Sequence, residues 1–240
     1  MKILAADTAT RSCSVAIMDN GGLLCEQTLI SGQTHSIHLM EMVKKAFDLT
    51  GLTINDIDGF AVTKGPGTFT GLRIGLSSIK GLAAASGKPV VGISSLEALA
   101  VQTSFSGHAC AMIDARRGEV YSARYSVSAS GFNCNIIQQE SHESVMTPEQ
   151  TVSDIDKTTL FIGNGAFLYH HKIKKLLGRR AIFPSLLQNT IQATTIARLG
   201  MDQLQNKSYK APDSPVPCYI RASDAEKKQK GYVKIISSGT

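Results

Sequence analysis

The sequence predicts an α/β protein of two lobes, each a mixed β-sheet with helices on its faces. Three observations predict it. Apolar runs of strand length alternate with helix-period segments along the chain. An apolar strand ending in Asp and followed by two alternating strands opens the chain and occurs again in its second half, as a repeat of pattern rather than of letters. The 240 residues fit one large domain or two small ones, and a chain 42% hydrophobic and 18% charged can bury a core. The boundary is expected in the polar stretch 102–108, giving an N-terminal lobe over 1–104 and a C-terminal lobe over 105–240.

The first strand, "KILAADT", is an apolar run expected to be buried on both faces. "SCSVAIMD" sets Cys13, Val15 and Ile17 against Ser12, Ser14 and Ala16. "LLCEQTLI" alternates again after Asn20-Gly21, a pair that tolerates the positive φ angles of a hairpin. A helix over 36–49, a strand at "DGFAVTKG", a helix over 70–86, a strand at "KPVVGISS" and a helix at "SLEALAVQ" complete the first half. The second half opens with an apolar strand ending at Asp114, an alternating strand, a turn at "SASG" and a third strand. A short helix near "TPEQTVSDI", the strand "TLFIGNG", a basic helix near "HHKIKKLLG" and a longer helix near "TIQATTIARLGMDQLQ" follow.

Composition excludes several classes. No run approaches the roughly 18 apolar residues of a membrane span, and "MKILAADTAT" reads as a strand rather than a signal peptide. The five cysteines (Cys13, Cys25, Cys110, Cys134, Cys218) are scattered without a CxxC pair, which argues against a disulfide scaffold or zinc site and for a reducing cytoplasm. A net charge of +6 permits nucleic acid or an acidic partner. The basic residues are dispersed, however, with clusters only at 172–175, 178–180 and 226–230 and no aromatic-rich RNA-binding signature beside them.

The segment "TKGPGTFTGLRIG", residues 63–75, looks like a phosphate loop and fails both tests for one. Lys64 precedes the loop instead of following it, and Gly65, Gly67 and Gly71 are one residue too widely spaced for a dinucleotide fingerprint. Pro66-Gly67 suits the centre of a type II turn, and Thr68 or Thr70 suits a helix N-cap. In the helix that follows, Gly71, Gly75, Ser77, Ser78, Gly81, Ala84 and Ala85 share one broad face, opposite Leu72, Leu76, Ile79 and Ala83. Each helical glycine costs about 1 kcal/mol against alanine, so close packing on that face must compensate. The preceding helix is over-apolar: Leu39, Met40, Met42, Val43, Ala46, Phe47 and Leu49 cover an arc of roughly 180°, against a usual stripe of about 100°. Either another chain covers the excess, or the second lobe and its neighbours do.

Asp7 and Asp114 end the first strand of each half. In the two-lobed fold of actin, sugar kinases and heat-shock chaperones, acidic residues stand at these places and ATP lies between the lobes. That makes Asp7, Thr8, Ser12, Asp114 and Arg116 candidates for a remnant nucleotide cleft, the carboxylates orienting Mg²⁺ or water. The plainer reading is that each Asp accepts backbone N–H bonds within its own turn, and the residues alone favour it.

The stretches "MKILAADTATRSCSVAI", "GPGTFTGLRIGLSSIKGLA", "IDARRGEVY" and "PCYIRASDAE" together resemble the TsaB (YeaZ) family, over nearly the whole chain. The resemblance implies the actin-like fold and a non-catalytic relative of TsaD, a group historically filed with the M22 glycoproteases. It implies a part in bacterial synthesis of threonylcarbamoyladenosine (t6A) on tRNA, next to the anticodon. TsaD holds a metal through two histidines near the position of "GISSLEALA", where this chain has Ser94, Ser95, Glu97 and Leu99 instead. His35 and His38 on the first helix, and His170 and His171, expected to point apart, lack a third ligand, so no metal is expected. No Ser-His-Asp signature supports a peptidase.

By the same resemblance the chain pairs with TsaD through its N-lobe helices, at Leu39, Met42, Val43, Ala46, Phe47, Gly71, Ile74, Gly75, Ser78 and Leu82. TsaE, a P-loop ATPase, engages the pair, TsaC-type enzymes supply the adenylate, and tRNA is the substrate of the complex. A homodimer through the same surface is expected when TsaD is missing. No intrinsic cofactor is implied; ATP or ADP would sit in the cleft or at the joint with TsaD. Two competing readings are an ATP-binding phosphotransferase or ATPase using Asp7 and Asp114, and an M22-type metallopeptidase.

Overall fold

The computed structural model describes residues 1–20, 22–31, 35–130, 134–206 and 215–221. In the first half, β1 (Lys2–Asp7), β2 (Ser12–Asp19) and β3 (Gly22–Ile30) form an antiparallel meander. The crossovers through α1 (His35–Thr50) to β4 (Gly59–Gly65) and through α2 (Phe69–Ser86) to β5 (Val90–Ser94) add two parallel strands, and α3 (Ser95–Val101) follows. The second half repeats the plan. A meander of β6 (Gly107–Asp114), β7 (Val120–Ser130) and β8 (Cys134–Gln139) is followed by β9 (Ser144–Met146), which also pairs with β7. Then come α4 (Pro148–Val152), the parallel strand β10 (Thr159–Ile162), α5 (Asn164–Leu168), α6 (His170–Leu177), the short parallel strand β11 (Ala181–Ile182) and α7 (Ala193–Gln205). The sheet orders, β3-β2-β1-β4-β5 and β11-β10-β6-β7-β8, are the same order read from opposite ends. The repeat expected from the sequence is therefore one of topology, and the architecture is the two-lobed actin-like one.

The hairpin between β2 and β3 uses Asn20 at φ +41°, as its residue type allows. Gly21, Gly131 and the basic cluster 226–230 lie outside the described residues. The short elements β9, α5 and β11 have too few residues for a periodic signal.

Each lobe lends a helix to the other. α1 and α2 cover one face of the first sheet, where Leu39, Met42, Val43, Ala46, Leu76 and Ile79 join Leu4, Val15, Ile17, Phe60 and Val62. The opposite face is covered by α7, from the second half. A Cβ on Gly200 of α7 would lie 2.5 Å from the Ala61 methyl, and one on Gly59 would meet Leu204 at 2.5 Å, so glycine permits the contact at both places. Reciprocally, α3 lies against β6, β7 and β8 of the second sheet. One core consequently runs through both lobes, from Ile3, Ala61 and Val91 past Leu99 and Ile196 to Ala111, Tyr125 and Ile162. The two sheets fall within 1–104 and 105–240, while α7 of the second segment packs on the first sheet.

The same helix explains why β2, read as alternating, is buried on both faces. Its polar face is satisfied rather than exposed. Ser14 Oγ bonds Thr28 Oγ1 at 2.8 Å and accepts from Ala193 N at 3.1 Å, while the Glu26 carboxylate accepts from Thr194 N at 3.0 Å, placing negative charge at the α7 N-terminus.

Candidate functional site

The loop after β4 closes onto the loop after β1. Gly65 has φ +114°, the Gly65–Pro66 peptide is cis, and Gly67 is outside the left-handed region, so the expected type II turn does not form. Thr68 is the N-cap residue of α2, but its side chain makes no capping bond; its N–H donates to Ala9 O at 2.7 Å. An added Cβ would lie 2.4 Å from Ala9 O at Gly67, 2.1 Å from Thr8 O at Gly71 and 2.2 Å from Thr8 Oγ1 at Gly75. Thr8 Oγ1 donates to Gly71 O at 2.7 Å, and the His35 ring bonds Thr10 O at 2.8 Å. The glycines at 67, 71 and 75 therefore serve an approach within the chain itself.

Beneath this closure Asp7 is fully buried. Its Oδ1 accepts from Ala9 N at 3.1 Å and from Thr63 Oγ1 at 2.8 Å, while Oδ2 is buried without a partner. Burial pushes the carboxyl up to about 7 against the bonds that favour its charge. Burial, reinforced by Asp7, also pushes the Cys13 thiol up to about 12. Thr8 and Ser12 are buried beside it, Ser12 Oγ bonding Thr10 Oγ1 at 2.8 Å. The Thr68 N–H at the start of α2 is engaged by Ala9 O, so that part of the loop pins the two loops to each other.

In the second lobe, Asp114 is half-buried and its Oδ1 accepts from Arg116 N at 2.8 Å, the same two-residue turn bond that Asp7 makes to Ala9. Arg116 is exposed, and both it and Arg117 stand at φ +58°. The plainer reading of the two aspartates, turn chemistry, is what the geometry displays, with Asp7 set apart by its complete burial.

Ser94 and Glu143 join the lobes near the start of α3. Ser94 Oγ accepts from Glu97 N at 3.3 Å and donates to the Glu143 carboxylate. Burial raises both Glu97 and Glu143 above the usual carboxylate range, with the Lys64 cation opposing it in each. Among the described residues no group of three or more His, Cys, Asp or Glu is placed to hold a metal. His170 and His171 do not diverge as expected; their ring centroids are 3.8 Å apart.

The ten residues expected to meet a partner separate into two sets. Leu39, Met42, Val43 and Ala46 are buried against the lobe's own sheet, and Gly71 and Gly75 against Thr8, so these six lie in the interior of the chain. Phe47, Ile74, Ser78 and Leu82 are half-buried. The last three run along one side of α2 with exposed Gly81 and Ala85. Among the described residues nothing lies within 4 Å of where a Cβ on Gly81 would stand. Sequence reading named His35, Thr63 and part of the segment 215–221 but not their contacts, which join residues far apart in the chain.

Comparison with known proteins agrees with this architecture. The family model described as "TsaD: tRNA N6-adenosine threonylcarbamoyltransferase" matches residues 16–229. The chain is 30% identical to the tRNA threonylcarbamoyladenosine biosynthesis protein TsaB of Bacillus subtilis (strain 168), covering 95% of this chain and 97% of that one. With its namesake in Haemophilus influenzae the figures are 31%, 96% and 98%. The solved structure of YeaZ from Pseudomonas aeruginosa superposes with a TM-score of 0.75 at 26% identity, covering 91% of this chain and 99% of that one. End-to-end likeness in sequence and fold leaves one conclusion: the chain belongs to the TsaB (YeaZ) family.

Proposed function

We propose that this chain is a non-catalytic subunit of the machinery that makes threonylcarbamoyladenosine on tRNA, binding the catalytic subunit TsaD through the outer strip of α2. The names of its full-length relatives support the pathway. The observation that carries the docking surface is Gly81. A mid-helix, exposed glycine costs about 1 kcal/mol against alanine, and no packing among the described residues requires it. With Ile74, Ser78, Leu82 and Ala85 it forms a shallow, small-residue strip on which another helix can lie closely.

TsaE joins the pair in this reading, tRNA is the substrate of the assembly, and the setting is the cytoplasm. Three cations of the basic C-lobe helix region are committed within the chain: Lys172 pairs with Glu149, Lys174 Nζ donates to Ala181 O at 3.0 Å, and Arg180 donates to Ile155 O at 2.9 Å. That supports tRNA being held by the complex rather than by this helix alone. Among the described residues no helix is long and apolar enough to cross a membrane.

Co-purification with TsaD and TsaE, followed by tRNA modification with each component omitted in turn, tests the reading. Gly81→Leu with Ala85→Asp, both at exposed positions, is expected to abolish TsaD association and modification while leaving the melting curve of the isolated chain nearly unchanged. A double variant that still forms the complex would refute the docking strip. Modification that proceeds without this chain would refute the subunit role.

A further inference from the structure

Residues 215–221 cross from one lobe to the other, held at both ends by side chains. On the N-lobe, Cys218 N donates to Lys64 O at 2.7 Å, and Cys218 O lies 2.7 Å from where a Cβ on Gly65 would stand. The Tyr219 ring stacks on Phe69 with centroids 4.8 Å apart, its hydroxyl accepts from Arg73 Nε at 3.2 Å, and the Arg73 guanidinium lies 3.8 Å over the Phe69 ring. All three side chains meet on the first turns of α2, one turn before the strip that begins at Ile74.

Two residues on, Arg221 grips the other lobe. Nη1 donates to Ala115 O at 2.8 Å and Nη2 is ion-paired with the Glu119 carboxylate. The Arg221 side chain is only 16% exposed, so this is a sheltered, two-pronged grip rather than a surface pair. Its target, the turn between β6 and β7, has Arg116 and Arg117 at φ +58° and Gly118 at φ +79°, a left-handed run that arginine side chains disfavour. A conformation of that kind persists where its surroundings over-determine it, and Arg221 is fastened to both sides of it.

We propose that Tyr219 and Arg221 are positioning residues: the two ends of a brace that fixes the β6–β7 turn of the C-lobe against the first turns of α2, so that the lobe angle and the docking strip are set together. The coupling of the lobes stands on the contacts just described. Its consequence for docking rests on the proposed TsaD surface.

Hydrogen exchange on the full-length chain tests it, because each end is read separately. Arg221→Ala is expected to speed exchange about tenfold at 69–73 as well as at 115–120, the scale of one lost charge-assisted hydrogen bond. Tyr219→Ala should loosen both ends likewise. Arg221→Lys, which keeps a cationic donor but loses the second prong, should act more weakly. Where Arg221→Ala fails to fold, Glu119→Gln, which keeps the bond to Ala115 O, is read in its place. Variants that loosen only the end they touch would overturn the brace. TsaD affinity of the same variants separates the two readings. Wild-type chain that binds no TsaD removes the docking surface and leaves the exchange result standing. Full affinity in a variant with a loosened α2 start overturns the link between brace and docking.

Discussion

At Asp7, enclosed by two loops, one carboxyl oxygen accepts two hydrogen bonds, and burial pushes the group up from an ordinary 3.8 to about 7. The raised value makes a stability statement. Between 3.8 and about 7 the folded chain keeps a proton that the unfolded chain releases, so stability falls as pH rises through that window and the loss is complete above it. Asp7→Asn preserves an oxygen to accept from Ala9 N and Thr63 and cannot titrate. It is expected to flatten the melting temperature against pH between 4 and 8, with its gain over wild type greatest at pH 8. Each pH unit by which folding displaces a titration corresponds to about 1.4 kcal/mol. Parallel curves for the two proteins would show that Asp7 is ionised in the native state. Titration with Mg²⁺-ATP separates the pin from a phosphate site: micromolar binding abolished by Asp7→Asn would mean that this carboxyl meets a cation.

At the level of the helices, two glycines of α2 have opposite roles. Gly75→Ala places a methyl against Thr8 Oγ1, disturbing the Thr8–Gly71 bond, and is expected to cost roughly 1–3 kcal/mol in chemical denaturation. Gly81→Ala meets nothing within 4 Å and is expected to stabilise the isolated chain by about 1 kcal/mol. Gly81→Leu, equally harmless to the monomer, should weaken the TsaD complex. If Gly81→Leu binds as well as wild type, the helix-on-helix approach is wrong. Val43→Glu is expected to unfold the lobe, read as loss of the native circular dichroism, because Val43 is 2% exposed and a charge there has no partner.

Across the whole molecule the exchange of α3 and α7 between lobes makes the core continuous. The expected outcome is one cooperative unfolding transition, with equal calorimetric and van't Hoff enthalpies. A chain ending at residue 104 lacks α7 and bares the apolar face of β1, β4 and β5. It should bind a hydrophobic dye and aggregate rather than fold. A soluble, cooperatively melting 1–104 fragment would contradict the shared core.

Much of this was legible from the sequence, because periodicity is a local property. The strands ending at Asp7 and Asp114, the small-residue α2 and the over-apolar α1 each announce themselves within some twenty residues, and the twofold pattern follows from them. What the glycines face was not legible: Gly71 meets Thr8, 63 residues earlier, and that contact turns a supposed partner surface into interior. Nor was the destination of α7, the burial of β2 on both faces or the grip of Arg221 on Ala115, 106 residues away. The sequence by itself determined the kinds of element, their order and the family. The tertiary structure alone decided which apolar faces are spent inside the chain and which stay exposed, because burial is a property of surfaces brought together from distant parts of the chain.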